Sequence, residues 1–543
     1  MTIRLRLWRL TTGTRSGQGS ALCPGHARAD TIQGMGQQMS QETAGADIDA
    51  RFRTGTPGLD AVLLGGLTPS RLYLVEGTPG SGKTTLALKF LMEGRQAGDR
   101  GLYITLSETE TELRAVARSH DLTLDGIDVF EMIAEDEFGI DHEQSLLHPS
   151  EVELGETVRG IFDLVDRTDP VRVVLDSLSE LRLLAQNPLR YRRQILALKH
   201  FFARRNCTVL MLDDRTAEPG DLQLHSIAHG VISLEQLAND FGSERRRLRV
   251  VKMRGLKYHG GYHDFTIERG GIRVYPRLIA ADHHRRFSAE PVTTGLAGLD
   301  ALLGDGLFPG TNTLLAGPAG VGKTTTAVRC MISALQRGQK AAYFLFDERL
   351  ATLMTRSRVL NMDLQPFIDA GLLTIRQIDP AELSPGEFAS AVRSAVEKDD
   401  VGLVVIDSLN AYLHAMPSDN FLVLQMHELL SYLAQQGVVS LMILGQHGVT
   451  GDLRSDLDIS YLADTMMMLR FFEADGEVRK SIAVIKTRTS DHERTIRELR
   501  IDGGGIVIGA PIRGFSGILS GTPVLVGTEN DLMATDPQRD RAR

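Results

Sequence analysis

Two tandem α/β domains, each a mainly parallel sheet flanked by helices, are what this 543-residue sequence predicts. Three observations predict it. The chain repeats itself at an offset of 240 residues. Each copy alternates short apolar runs with helical stretches, the pattern of a parallel sheet covered on both faces. Each copy also passes from its first apolar run into its first helix through a glycine-rich turn.

The repeat is read first because it fixes the organisation. TGTPGLDAVLLGGLTP from Thr54 returns as TGLAGLDALLGDGLFP from Thr294, and from Thr54 to Thr85 17 of 32 positions are identical at the 240 offset, without a gap. Chance does not give this, so the chain is a duplication. The first copy is assigned to residues 51–280 and the second to 288–525, joined by 281–287 within the polar stretch RLIAADHHRRFSAE. Residues 1–50, rich in Gly, Gln, Ser and Thr without sustained periodicity, read as a disordered extension, and 526–543 as a tail.

The elements of the first copy follow in order. RLYLVEG is a buried strand ending at the glycine-rich turn. KTTLALKFLMEGRQAG has helical spacing and stops near Gly98. GLYITLS, VRVVLDS and CTVLMLDD are further buried strands, and PLRYRRQILALKHFFARR is a helix with Pro188 near its start. After Gly230 the pattern becomes strands with short turns (GVISLEQL, LRVVKMRG, FTIERGGIRVYP), an antiparallel extension at the sheet edge. Composition suits a folded globular chain, 42% hydrophobic and 24% charged, with no apolar run near the roughly 18 residues of a membrane span. The net charge of −9 weighs against nucleic acid as a partner. Cys23, Cys207 and Cys330 form no CxxC pair, which fits a reducing, cytoplasmic setting better than a zinc ribbon or a disulfide framework.

The turns carry the chemistry. Gly77-Thr78-Pro79-Gly80-Ser81-Gly82-Lys83-Thr84, followed by Thr85, matches GxxxxGK[ST]. So does Gly317-Pro318-Ala319-Gly320-Val321-Gly322-Lys323-Thr324, followed by Thr325. Glycines let main-chain N–H groups curl around phosphate oxygens, and the helix that follows points its positive end at them. Lys83 and Lys323 are expected at the β- and γ-phosphates of ATP, and Thr84 and Thr324 on Mg²⁺. Two matches in register, each between a strand and a helix, define P-loop NTPase domains of the RecA-like kind.

A second magnesium-side carboxylate is expected at the end of a buried strand. Asp176 ends VRVVLD and Asp407 ends GLVVID, each followed by Ser-Leu. Hydrolysis also needs a base beside the γ-phosphate. Glu108 in the first copy, and Asp347 and Glu348 in the second, follow the strand where such folds carry one. Position alone equally admits that these acids cap the helices that come next. His225 and His229 are four apart, but no third metal ligand is evident.

With these motifs in hand, residues 51–525 resemble the KaiC family of double-domain RecA-like ATPases and autokinases. The resemblance rests on the T-G-x-x-G-L-D opening, both P-loops and the acids after the second strand. It also rests on Lys252-Met-Arg254-Gly255, Lys486-Thr-Arg488-Thr489, His492, Ile496-Arg497-Glu498 and Leu519-Ser-Gly-Thr-Pro523. It implies a homohexamer with ATP between neighbouring subunits, and Lys252, Arg254, Lys486 and Arg488 reaching across to a neighbour's ATP. A cation supplied in this way offsets charge on the transferring phosphoryl group; the plainer alternative is solvated strand charges. A KaiB-like or signalling partner is implied by the family only.

Three departures qualify the resemblance. Ser107 stands where the family places the first of two glutamates. Ser460-Tyr461 stands where it places adjacent Ser and Thr acceptors, so Ser460 is the expected phosphoacceptor of a serine/threonine kinase reaction. His229 stands where the second copy has Asp464. The leading expectation is an ATPase that phosphorylates itself. The alternatives are a RadA-like DNA-dependent ATPase, although the four-cysteine finger usual there is missing, and a nucleotide-gated scaffold without kinase activity.

Overall fold

The structure is a computed structural model. It describes residues 51–132, 149–215, 223–238, 242–414, 419–446, 460–520 and 523–526, so the expectations for 1–50 and 527–543 lie outside the described residues. The strands of the first repeat are β1 (Leu72–Gly77), β2 (Gly101–Thr105), β3 (Asp128–Glu131), β4 (Arg172–Asp176), β5 (Thr208–Asp213), β6 (Gly230–Leu237), β7 (Arg245–Met253), β8 (His263–Glu268) and β9 (Gly271–Tyr275). Those of the second are β10 (Asn312–Gly317), β11 (Lys340–Leu345), β12 (Leu373–Gln377), β13 (Val401–Asp407), β14 (Val439–Gly445), β15 (Thr465–Ala474), β16 (Glu477–Lys486), β17 (Arg497–Asp502) and β18 (Gly505–Pro511), followed by β19 (Phe515–Ser516) and β20 (Val524–Leu525), which form a separate two-stranded ribbon. Among the described residues each repeat makes one nine-stranded sheet. The orders are β3-β2-β4-β5-β1-β6-β7-β8-β9 and β12-β11-β13-β14-β10-β15-β16-β17-β18, the same topology twice.

The central strands β1, β4 and β5 are buried at every position, as the unbroken apolar runs require when helices cover both faces. The sequence reading placed GVISLEQL in an antiparallel extension. Instead this strand, β6, pairs parallel to β1 near the sheet centre, and the antiparallel order begins only at β7. The reason is burial: Gly230 to Leu234 are all covered. Helix Pro188–Arg204 starts where expected, its end capped by Asn187, whose side chain accepts from Leu189 N at 2.8 Å.

The repeated T-G-x-x-G-L-D opening has a structural task. Asp60 Oδ1 accepts from both the amide and the hydroxyl of Thr54 at 2.8 Å, and Asp300 does the same for Thr294 at 2.7 Å. Gly58 is required because a Cβ there would lie 2.0 Å from Val274 O. The opening pins the entry of each repeat to the end of its sheet.

Both repeats belong to one compact unit. The polar stretch read as a linker is docked rather than loose. Leu278 and Ala280 enter the second repeat's core, and Arg285 pairs with Asp400 at 3.0 Å. The repeats also touch directly: Gly386 N donates to Asp264 Oδ2 at 2.7 Å and Ser243 N to Ala381 O at 3.2 Å. No described helix is long and apolar enough to cross a membrane.

Candidate nucleotide sites

Each glycine-rich turn links the end of a central strand to a 14-residue helix, Lys83–Gln96 or Lys323–Gln336. The residues before these helices, Gly82 (φ 96°) and Gly322 (φ 118°), lie in the left-handed region. That conformation is what calls for glycine; a Cβ there would also meet the Cδ1 of Ile267 at 2.8 Å or of Ile501 at 2.4 Å, side-chain ends that can shift. Neither helix has a side-chain cap. The N–H groups of its first turn are therefore left for an anion, and a phosphate group fits the cradle.

Around each cradle the predicted residues come together. Thr84 Oγ1 donates to Asp176 Oδ2 at 3.3 Å, and Thr324 Oγ1 to Asp407 Oδ2 at 2.8 Å. Both carboxylates also accept a tyrosine hydroxyl, from Tyr103 at 2.5 Å and Tyr343 at 2.6 Å. Burial raises the pKa of both aspartates, partly offset by those hydroxyls. A hydroxyl beside a carboxylate is a hard-oxygen donor set that suits Mg²⁺. The tyrosines were missed in the sequence reading, although their 240-residue spacing is a signal the repeat itself supplies.

The two lysines differ. Lys83 Nζ donates to the carbonyls of Gly77 and Thr78, both at 3.0 Å, and pairs with Asp214 at 2.8 Å. Lys323 Nζ donates to the carbonyls of Gly317 and Pro318, both at 2.8 Å, and burial pushes its pKa down to about 8. Asp214 has Gly445 as its strand counterpart, so nothing there can replace it. Its pairing was missed too; the only trace in the sequence is the double aspartate that ends CTVLMLDD.

The predicted bases sit close by and do not cap the next helices. In the first repeat that task falls to Thr109 with Glu112, a reciprocal capping box. Glu108 Oε2 is buried without a hydrogen-bond partner among the described residues. Its pKa is raised by burial and by the negative charges of Asp176, Glu112 and Asp214. Glu348 is held differently, in a two-pronged ion pair with Arg356 at 2.8 and 2.9 Å, and Asp347 accepts from the Ser408 hydroxyl. Arg356, which the sequence reading passed over, has Val116 as its counterpart.

The four predicted finger cations are not brought to their own P-loops. Arg254 N donates to His229 O at 3.0 Å, and His229 N to Leu72 O at 2.8 Å. Arg254 thus stands level with the first residue of β1, about 17 Å along the strand from Gly77. Its guanidinium donates to Ser226 O at 2.5 Å, and Lys252 Nζ donates to His225 O and to Ala228 O, the latter at 2.9 Å. In the second repeat Lys486 pairs in register with Met466 at the same far end, and Arg488 reaches Asp464 at 3.5 Å and Tyr461 O at 3.1 Å. Ser460 opens the short 3₁₀ turn Ser460–Leu462; its side chain lies outside the described residues. His225 pairs with Glu76 at 2.7 Å, and no cluster of three or more metal-binding side chains exists among the described residues.

Fold and turns together define a tandem P-loop ATPase of RecA-like architecture. A family model described as "ATPase: KaiC" matches residues 52–279 and again 292–512. The chain belongs to the KaiC ATPase family. It is 28% identical over 497 residues to "Circadian clock protein KaiC3" of Synechocystis sp., covering 90% of this chain and 96% of that protein. It is also 28% identical over 497 residues to "Circadian clock oscillator protein KaiC" of Synechococcus elongatus, covering 88% and 92%. For the protein of the same name from Nostoc sp. the figures are 27% over 513 residues, covering 91% and 95%.

Proposed function

We propose that the protein assembles as a homohexamer on binding ATP, hydrolyses ATP in both repeats, and phosphorylates Ser460 through the second. In this reading residues 51–280 and 288–525 are the two catalytic domains. The observation that carries it is the doubled arrangement of P-loop, Thr–Asp pair and adjacent carboxylate: Thr84, Asp176 and Glu108, then Thr324, Asp407 and Glu348. Thr84 with Asp176, and Thr324 with Asp407, would hold Mg²⁺, which neutralises charge on the phosphate oxygens. The main chain of the two turns binds and orients the phosphates. Glu108, and Glu348 with Asp347, would take a proton from water or from the acceptor hydroxyl.

Assembly is supported by the far-end location of Lys252, Arg254, Lys486 and Arg488. They cannot serve the P-loop of their own repeat, whereas a neighbour's phosphates would give them an anion. Ser460 belongs to that same end, since Arg488 donates to the carbonyl of the next residue, Tyr461. An acceptor there meets a neighbouring copy's second site rather than its own. Tyr461 is a poor second acceptor, because its hydroxyl lies well beyond the reach of a β-hydroxyl. A KaiB-like or signalling partner is taken from the family.

Light scattering with and without ATP tests assembly; a chain that stays monomeric at saturating ATP and Mg²⁺ refutes it. Peptide mass spectrometry after incubation with Mg²⁺ and ATP tests the kinase step. Phosphate on Ser460 that disappears in Glu348→Gln supports it. Steady hydrolysis with no phosphate anywhere in 458–465 leaves an ATPase alone.

A further inference from the structure

The aspartates that end β4 and β13 are each held by one oxygen only. Oδ2 of Asp176 accepts from Thr84 Oγ1 at 3.3 Å and from Tyr103 Oη at 2.5 Å. Oδ2 of Asp407 accepts from Thr324 Oγ1 at 2.8 Å and from Tyr343 Oη at 2.6 Å. Oδ1 of either aspartate has no hydrogen-bond donor among the described residues. A carboxylate turns easily about its last bond. The threonine hydroxyl, which turns as well, does not fix it alone. A second donor, from a ring locked in the core, does.

Strand pairing brings each tyrosine to its place. Tyr103 on β2 is the register partner of Val174, two residues before Asp176, and Tyr343 on β11 is the partner of Val405, two before Asp407. Residues two apart on a strand share a face and lie roughly 7 Å apart, a span that a tyrosine side chain covers and a serine or threonine does not. Both rings are 0% exposed. Tyr103 packs in the cluster that holds Leu86 and Phe90, and Tyr343 in the one that holds Ala327 and Met331, all on the helices that follow the P-loops. The ring is thus set by the core, and its hydroxyl, neutral at pH 7, donates to the aspartate.

The plain alternative is that a buried phenol takes the nearest acceptor. Two observations stand against it. The core needs the ring and not the hydroxyl, since phenylalanine would fill the same space with no polar group to satisfy. The duplication also offers an internal comparison. Residues 101–105 read GLYIT and 341–345 read AAYFL, and tyrosine is the one residue the two strands share. The other four positions differ between the copies, while the hydroxyl on the aspartate is present in both.

We infer that Tyr103 and Tyr343 are positioning residues for the cation: each holds its aspartate by Oδ2, so that Oδ1 is presented to Mg²⁺. The inference rests on the reading of Thr84 with Asp176, and of Thr324 with Asp407, as the Mg²⁺ side of each site. Partners that orient a metal ligand in this way set the affinity of the site, and losing one costs roughly 10–100-fold.

The test reads metal binding and not turnover. The full chain is loaded with a non-hydrolysable ATP analogue and titrated with Mn²⁺, the free ion being counted by electron paramagnetic resonance. Mn²⁺ takes the same oxygen ligands as Mg²⁺. The parent should hold two Mn²⁺ per chain, one lost in Asp176→Asn and the other in Asp407→Asn. Tyr103→Phe should weaken the first of these by about tenfold, and Tyr343→Phe the second. Affinity for the analogue in EDTA should not change, because neither variant touches the cradle. Phenylalanine keeps the ring in the core, and each variant decides its own site, so one that fails to fold leaves the other to decide. Mn²⁺ held as tightly as in the parent overturns the inference while the Thr–Asp reading stands. Metal-free affinity that falls as far as metal affinity makes the tyrosines packing residues only, and also overturns it. If the parent takes no Mn²⁺, or both aspartate variants keep two, the Thr–Asp reading itself fails, and the inference with it.

Discussion

In the first repeat it is the P-loop lysine that is held by an opposite charge; in the second it is the carboxylate beside the phosphate site. Lys83 pairs with Asp214, while Glu108 has no cation partner among the described residues. Lys323 donates to two main-chain carbonyls and has no ion pair among the described residues, while Glu348 is gripped by Arg356. Two copies of one fold have thus put their fixed charges at opposite ends of the same reaction path. Under the proposed function, a nucleotide at the first site would displace Asp214 from Lys83 and then meet Glu108 as its base; at the second, Lys323 would be ready and Glu348, the base, restrained by Arg356. Identical topology does not imply identical turnover, because the differences come from residues outside the shared motif.

The largest expected effect removes the lysines themselves. Lys83→Ala and Lys323→Ala should each weaken ATP at their own site by about 100-fold, the loss of a charged hydrogen bond worth roughly 2–3 kcal/mol. Stoichiometry by equilibrium dialysis should fall from two ATP per chain to one in either variant. If both variants still bind two, the pairing of lysine with site is wrong. Under the proposed division, Lys83→Ala impairs assembly more and Lys323→Ala self-phosphorylation more; equal effects in both assays would break it.

Freeing Glu348 comes next. Arg356→Met, with both P-loop lysines intact, should raise the part of ATP turnover that Lys323→Ala abolishes by up to about tenfold, the equivalent of about 1.4 kcal/mol, reduced where the pair meets solvent. A turnover that stays flat or falls makes Arg356 a support for the base rather than a restraint.

Asp214→Asn is expected to be milder. In a Lys323→Ala background it should tighten ATP at the first site about fivefold, because Asp214 is partly exposed and the pair is worth about 1 kcal/mol. Unchanged affinity would mean that Lys83 leaves Asp214 at no cost.

The smallest effect is in pH. A base must be ionised to act, and the Glu108 carboxyl has its pKa raised by burial and by Asp176, Glu112 and Asp214. First-site hydrolysis should therefore be full above that raised pKa and be lost as pH falls through it, at a pH higher than an ordinary glutamate would give. Asp214→Asn removes one of the repelling charges and should move the midpoint down. A midpoint that stays put would take Glu108 out of the proton transfer.

The sequence by itself determined the duplication, the alternation of strand and helix, both phosphate turns and the Thr–Asp partners at the strand ends. These are legible because each is built from contiguous residues, or from the strand-end positions that the repeat marks twice. Backbone N–H groups and a helix end need only glycines in the right order to make a cradle. Tertiary structure alone decided which charges meet. Asp214 reaches Lys83 only because β5 lies beside β1, and Arg356 reaches Glu348 only because its helix turns that face inward. Periodicity reports which face of an element is buried; it carries no information about which distant side chain waits on the other side, and ion pairs are made at distances that only the packed fold sets.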